Sequence, residues 1–106
     1  MDQSELIKSI KDIAASAEPD KISKLIGIIN NKYFKNIIRS CAIIELGKIK
    51  DKNVLEFLIA RLKKEDEDLK EEIISAIGAI GDKSAYFNLK IILDDDTIEF
   101  EYEENK

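Results

Sequence analysis

Leu46-Gly47-Lys48-Ile49-Lys50-Asp51-Lys52 and Ile77-Gly78-Ala79-Ile80-Gly81-Asp82-Lys83 are two versions of one stretch, 31 residues apart. The register extends both ways without a gap. Ile38 falls on Leu69, Arg39 on Lys70, Ala42 on Ile73, Leu58 on Leu89 and Leu62 on Leu93. A looser copy precedes them: Ile22, Leu25 and Ile29 fall on Leu55, Leu58 and Leu62 at an offset of 33, the two extra residues lying between Asn30 and Asn36. Self-similarity at such a period marks an array of supersecondary units, none of which can bury its apolar face alone.

Each unit reads as two helices. Ile38, Ala42, Leu46 and Ile49 recur at helical spacing, as do Leu69, Ile73, Ala76, Ile77 and Ile80. Val54, Leu55, Leu58 and Leu62, then Ala85, Tyr86, Leu89 and Leu93, mark the second helices. Gly47 and Gly78 are expected to end the first helices, because glycine accepts the left-handed cap conformation. Asp51 or Asn53, and Asp82 or Ser84, are then placed to cap the second helices. At the start, Asp2-Gln3-Ser4-Glu5 reads as a capping box ahead of a stripe of Leu6, Ile10, Ile13, Ala14 and Ala17. Pro19-Asp20 separates that helix from the next. Isoleucine is abundant and a mediocre helix former, but the period is 3.6 rather than 2, and periodicity outweighs propensity.

The stretch from Ile38-Arg39-Ser40-Cys41-Ala42 to Asp51, followed by Val54-Leu55 and Leu58, resembles a HEAT repeat. It is closest to the short subtype named after the phycobilisome lyases. Leu69-Lys70 through Asp82 repeats the pattern. The resemblance covers residues 38–93 well, 1–37 loosely and 94–106 not at all. It implies an all-α, right-handed solenoid of about three helical hairpins. The units are expected at about 1–35, 36–66 and 67–93, with residues 94–106 an acidic tail or imperfect cap. The family pattern puts a small residue just before the Leu-Gly pair. Ala76 fits, whereas Glu45 does not, and Ile44 stands where the pattern is polar. Glu45 is expected at the edge of the helix packing with Arg39, Lys48 or a backbone donor as its partner. A sharper reading makes Glu45 and Ile44, with Ile37 and Cys41, a contact surface. In such repeats Arg39 and Lys70 hold the basic position that supports inter-repeat turns through acids like Asp51 and Asp82.

The chain has 106 residues, 44% apolar and 37% charged, of which twenty are Ile, nine Leu and one Val. Burying most of these at about 1.5–3 kcal/mol each suffices for one small folded domain. The net charge of −5 hides an uneven distribution. Residues 94–106 (DDDTIEFEYEENK) carry −6, whereas residues 21–52 carry eight bases against Glu45 and Asp51, or +6. Overall acidity therefore does not exclude an anionic partner for the middle of the chain. The longest apolar runs, Cys41 to Ile44 and Phe57 to Ala60, are too short to cross a membrane. A single cysteine excludes an internal disulfide, so a reducing, cytoplasmic setting is the expectation.

The chain contains no histidine. Common zinc sites and Ser–His or Cys–His nucleophilic pairs are therefore excluded, and no catalytic residue, metal or cofactor is expected. Asp94-Asp95-Asp96 lacks the spacing of a calcium loop and reads as a solvated run. Cys41 has no histidine beside it to lower its pKa, which leaves little basis for a catalytic thiolate.

Binding is the remaining class. The resemblance implies that the second helices line the concave side, where Lys24, Ile28, Phe57, Arg61, Lys64, Asn88 and Ile91 face away from the apolar stripes. Their mixture of aromatic, aliphatic and basic side chains suits an acidic or helical segment of a protein partner. The leading expectation is a non-enzymatic interaction module or small adaptor. The alternatives are an accessory subunit of a lyase-type enzyme, or weak nucleic-acid binding through residues 21–52, where Tyr33-Phe34 between Lys32 and Lys35 is the one local hint. Nucleic acid ranks below protein as a partner. Three units leave two end faces to cover, so a homodimer or a place in a larger assembly is consistent with the length.

Overall fold

The structure is a computed structural model of the chain and describes residues 2–64 and 67–81. The first helix, α1 (Gln3–Ala15), begins where the sequence places a cap: Asp2 Oδ1 accepts from the Glu5 N–H at 2.8 Å. Its stripe buries Ile10 and half-buries Leu6, Ile13 and Ala14, but Ala17 lies beyond the helix and is exposed. α2 (Lys21–Asn30) follows the break at Pro19 and buries Leu25 and Ile29. The remaining helices are α3 (Asn36–Ile49), α4 (Leu55–Leu62) and α5 (Glu67–Ile80), with a single 3₁₀ turn at Lys52–Val54 before α4. Among the described residues the architecture is all-helical.

The repeat register survives as packing. Ile38 and Leu69, Ala42 and Ile73, Leu46 and Ile77 are buried in both copies, as are Leu25 with Leu58 and Ile29 with Leu62. All ten belong to one continuous apolar core. α3 packs against α1, α2 and α5, and α4 packs against α5. The central helix is thus enclosed on three sides.

Gly47 and Gly78 do not end their helices. Each lies two residues before the last helical residue and remains helical, while the left-handed conformation falls on Lys50 (φ 57°) and Gly81 (φ 74°). These two also correspond at the repeat offset. Both make the same closing bond, Lys50 N–H to the Gly47 carbonyl at 3.2 Å and Gly81 N–H to the Gly78 carbonyl at 3.0 Å. Glycine at 47 serves packing instead. A Cβ there would meet Ala76 Cα at 2.9 Å and Ala76 Cβ at 3.0 Å, so α3 and α5 touch backbone to backbone at this point. Asp51 caps the 3₁₀ turn rather than α4 itself, its Oδ1 accepting from the Asn53 N–H at 2.9 Å, and Val54 at the start of α4 makes no side-chain cap bond.

Lysine in the left-handed region carries a steric cost that glycine does not. Lys50→Gly is therefore expected to stabilise the fold by about 1 kcal/mol, read as a raised urea midpoint with unchanged slope.

Basic side chains close the helices that precede them. Lys21 Nζ donates to the Ser16 carbonyl at 3.2 Å and to the Ala14 carbonyl at 3.5 Å, at the end of α1. Arg39 is buried, and its Nε donates to the Ile29 carbonyl in the last turn of α2 at 2.7 Å. A cation at a helix C-terminus satisfies free carbonyls and opposes the helix dipole. Arg39 thus joins α3 to α2, a link that the repeat resemblance does not assign to it. The expected caps Asp82 and Ser84, and the helix expected over Ala85–Leu93, lie outside the described residues, as do residues 94–106.

Candidate binding surfaces

The five described residues singled out for the concave side occupy two helices. On α2, Lys24 is exposed and pairs with Asp20 at 3.6 Å, while Ile28 is half-buried against the core. On α4, Phe57 is half-buried against the core, Arg61 is half-buried, and Lys64 is exposed just past the helix end. Phe57 and Arg61 stand at i and i+4 on α4 and share one face, with Lys64 following beyond the helix end. Asn88 and Ile91 lie outside the described residues.

The basic middle does not converge. Arg39 is buried, Lys21 is held by carbonyls, and Lys24 and Lys48 each pair with an acid. Lys32 and Lys35 flank the fully exposed Tyr33 before α3, whereas Lys50 and Lys52 follow its end. A helix of 14 residues separates the two pairs by about 20 Å at 1.5 Å per residue. Apart from Lys21 and Lys48, which approach a common cleft, the +6 of residues 21–52 is therefore dispersed along the molecule rather than gathered into one groove.

Among the described residues, the most exposed large apolar side chains lie elsewhere. Besides Tyr33 they are Ile37 (52% exposed) and Ile44 (44%), both on α3. Residues 37, 41, 44 and 48 form one stripe at i, i+4, i+7 and i+11, so half-buried Cys41 and exposed Lys48 continue the same face. Burial pushes the Cys41 thiol pKa up, and the Glu45 carboxylate acts in the same direction, while Lys11 and Lys48 oppose them. The thiol is thereby kept protonated and poorly nucleophilic.

Beside this stripe, α1, the start of α2 and the end of α3 enclose a shallow cleft of about 300 Å³. Its lining includes Lys11, Lys21, Lys48 and Glu45 above the small side chains of Ala14 and Ala15. Glu45 is the cause. At the equivalent place between α3 and α5, Ala76 lies directly against Gly47. Glu45 stands one repeat earlier, where its larger side chain faces α1 and pairs with Lys48 at 3.4 Å. The edge placement and the Lys48 partner were legible in the sequence. The α1 contribution was not, although the missing small residue at position 45 was its signal.

A family model for HEAT repeats matches residues 22–100. This chain belongs to the HEAT-repeat family. No curated protein and no solved structure matches it. HEAT repeats are generally protein-interaction modules, and the family is typically non-catalytic. Among the described residues, no three Cys, Asp or Glu side chains gather as a metal ligand set, and no helix of the HEAT domain is long and apolar enough to cross a membrane.

Proposed function

We propose that the chain is a non-enzymatic interaction module, a right-handed solenoid of three short repeats (residues 1–35, 36–66 and 67–93) that recruits a protein partner across its second helices. The observation that carries this reading is the shared face of Phe57 and Arg61 on α4, with exposed Lys64 just past the helix end, beside a family whose repeats generally bind proteins. A partly buried aromatic gives an anchor, and the basic side chains around it favour an acidic or helical segment. Lys24 and Ile28 extend the same character onto α2, and Asn88 and Ile91 would extend it into the third unit. A cytoplasmic adaptor fits the single unpaired cysteine.

The test uses charge reversal at exposed positions, because Phe57 also contributes to the core. The Lys24→Glu/Lys64→Glu variant should retain its melting temperature within a few degrees. In affinity purification from the native cell it should lose the chains that co-purify with wild type. Recovery of the same chains at the same yield would refute the α2/α4 face. Retention on heparin that weakens with salt would instead favour the nucleic-acid alternative.

A further inference from the structure

We infer that the α1/α3 side of the molecule is a second docking surface, shaped for an acidic peptide segment of a protein partner that places a carboxylate in the Lys11–Lys48 cleft and apolar side chains over Ile44 and Ile37. Three observations meet there. First, α3 is packed by α1, α2 and α5, yet its remaining side still carries two exposed isoleucines. Large apolar side chains left on the unpacked side of a helix that is already buried on its other sides mark a surface suited to a partner.

Second, the cleft has net positive charge, three lysines against Glu45. Lys21 is held in place by two backbone carbonyls and retains one further N–H to donate, since an ammonium carries three. Lys48 is anchored at Glu45, and Lys11 approaches from α1. A carboxylate entering between them meets donors from three helices, with the small side chains of Ala14 and Ala15 also in the lining.

Third, the apolar and charged parts are contiguous. Cys41 lies between Ile37 and Ile44 along α3 and is close enough to Lys11 and Lys48 to feel both charges. From residue 37 to residue 48 the stripe runs about 16 Å, the reach of a short extended peptide of roughly five residues. The surface therefore selects an extended segment whose alternate positions, those on one face, carry apolar residues at one end and an acid at the other. This reading is independent of the α2/α4 face, which shares none of these side chains.

The probe is a fluorescein-labelled heptapeptide, Ser-Ile-Ser-Phe-Ser-Glu-Ser, whose Ile, Phe and Glu share one face when extended, titrated onto the full chain at low salt and followed by anisotropy. Saturable binding is expected, weakening at least about tenfold for Lys11→Glu/Lys48→Glu and severalfold for Ile44→Gln. Lys24→Glu/Lys64→Glu should leave it within about twofold. In wild type, the amide signals of Ile44 and Lys48 should shift on titration, a readout that needs no variant. The inference fails if the peptide does not bind, if the Lys11/Lys48 variant binds normally, or if binding is lost only in the Lys24/Lys64 variant. That last outcome would leave the proposed function standing. Loss of cell partners only in the Lys24/Lys64 variant, with peptide binding lost only in the Lys11/Lys48 variant, would support both surfaces.

Discussion

Gly47→Ala is expected to lower stability, even though alanine is favoured over glycine in a helix interior by about 1 kcal/mol. The added methyl group would sit 2.9 Å from Ala76 Cα and 3.0 Å from its Cβ. Backbone atoms of α5 cannot rotate away as a flexible side chain would, so α3 and α5 must separate. Overpacking of a tight interior costs about 1–3 kcal/mol, and here it opposes the propensity gain. A net loss of about 1–2 kcal/mol is expected for alanine, and a larger one for Gly47→Val, which adds bulk without the propensity benefit. For a domain of this size each kcal/mol moves the melting temperature by about 4–8 °C, well within calorimetric resolution. Gly27→Ala is the matching control. Gly27 is exposed in α2 and nothing lies within 4 Å of an added Cβ, so the same substitution should stabilise. Opposite signs for one chemical change would isolate the α3–α5 contact; a stabilised Gly47→Ala would show that the helices separate at little cost.

Arg39→Leu is the second large effect. The side chain is only 5% exposed, and its Nε bonds the Ile29 carbonyl at 2.7 Å. Leucine keeps much of the apolar stem but leaves that carbonyl without its donor. Hydrogen bonds from charged groups contribute about 1.5–3 kcal/mol, and a stranded buried acceptor costs a similar amount. A loss of about 2–4 kcal/mol in urea unfolding is expected, with faster hydrogen exchange in the last turn of α2. Arg39→Lys should recover only part of it, because an ammonium on a flexible stem does not reproduce the fixed guanidinium geometry. Full recovery by lysine would mean that charge alone matters at this position.

The repeat register makes the fold legible because core burial repeats with it. Ile38 and Leu69, or Leu46 and Ile77, pair on sequence and are buried together. The glycine at 47 suggests backbone freedom on sequence, although what it supplies is the absence of a side chain. That need is set by Ala76, 29 positions away, and is invisible to local reasoning. Arg39 reads as structural, but its Ile29 partner depends on how α2 sits against α3. For binding, position 45 gives the clearest sign, since a carboxylate replaces the small residue of the repeat. Its effect on α1 becomes readable only with the helices in place. Lys11, Ala14 and Ala15 carry no motif and enter the cleft by geometry alone.

The position of α3 also bears on how the molecule comes apart. Repeat arrays can in principle melt one unit at a time, because each touches only its neighbours. Here one helix carries interfaces with α1, α2 and α5 simultaneously, so releasing either flank exposes its apolar surface. Local fraying at the two ends of the array would still leave α3 among the slowest-exchanging segments. Cutting the chain within 36–49 would separate two fragments neither of which retains a complete core. The middle of this small protein is therefore where its cooperativity resides.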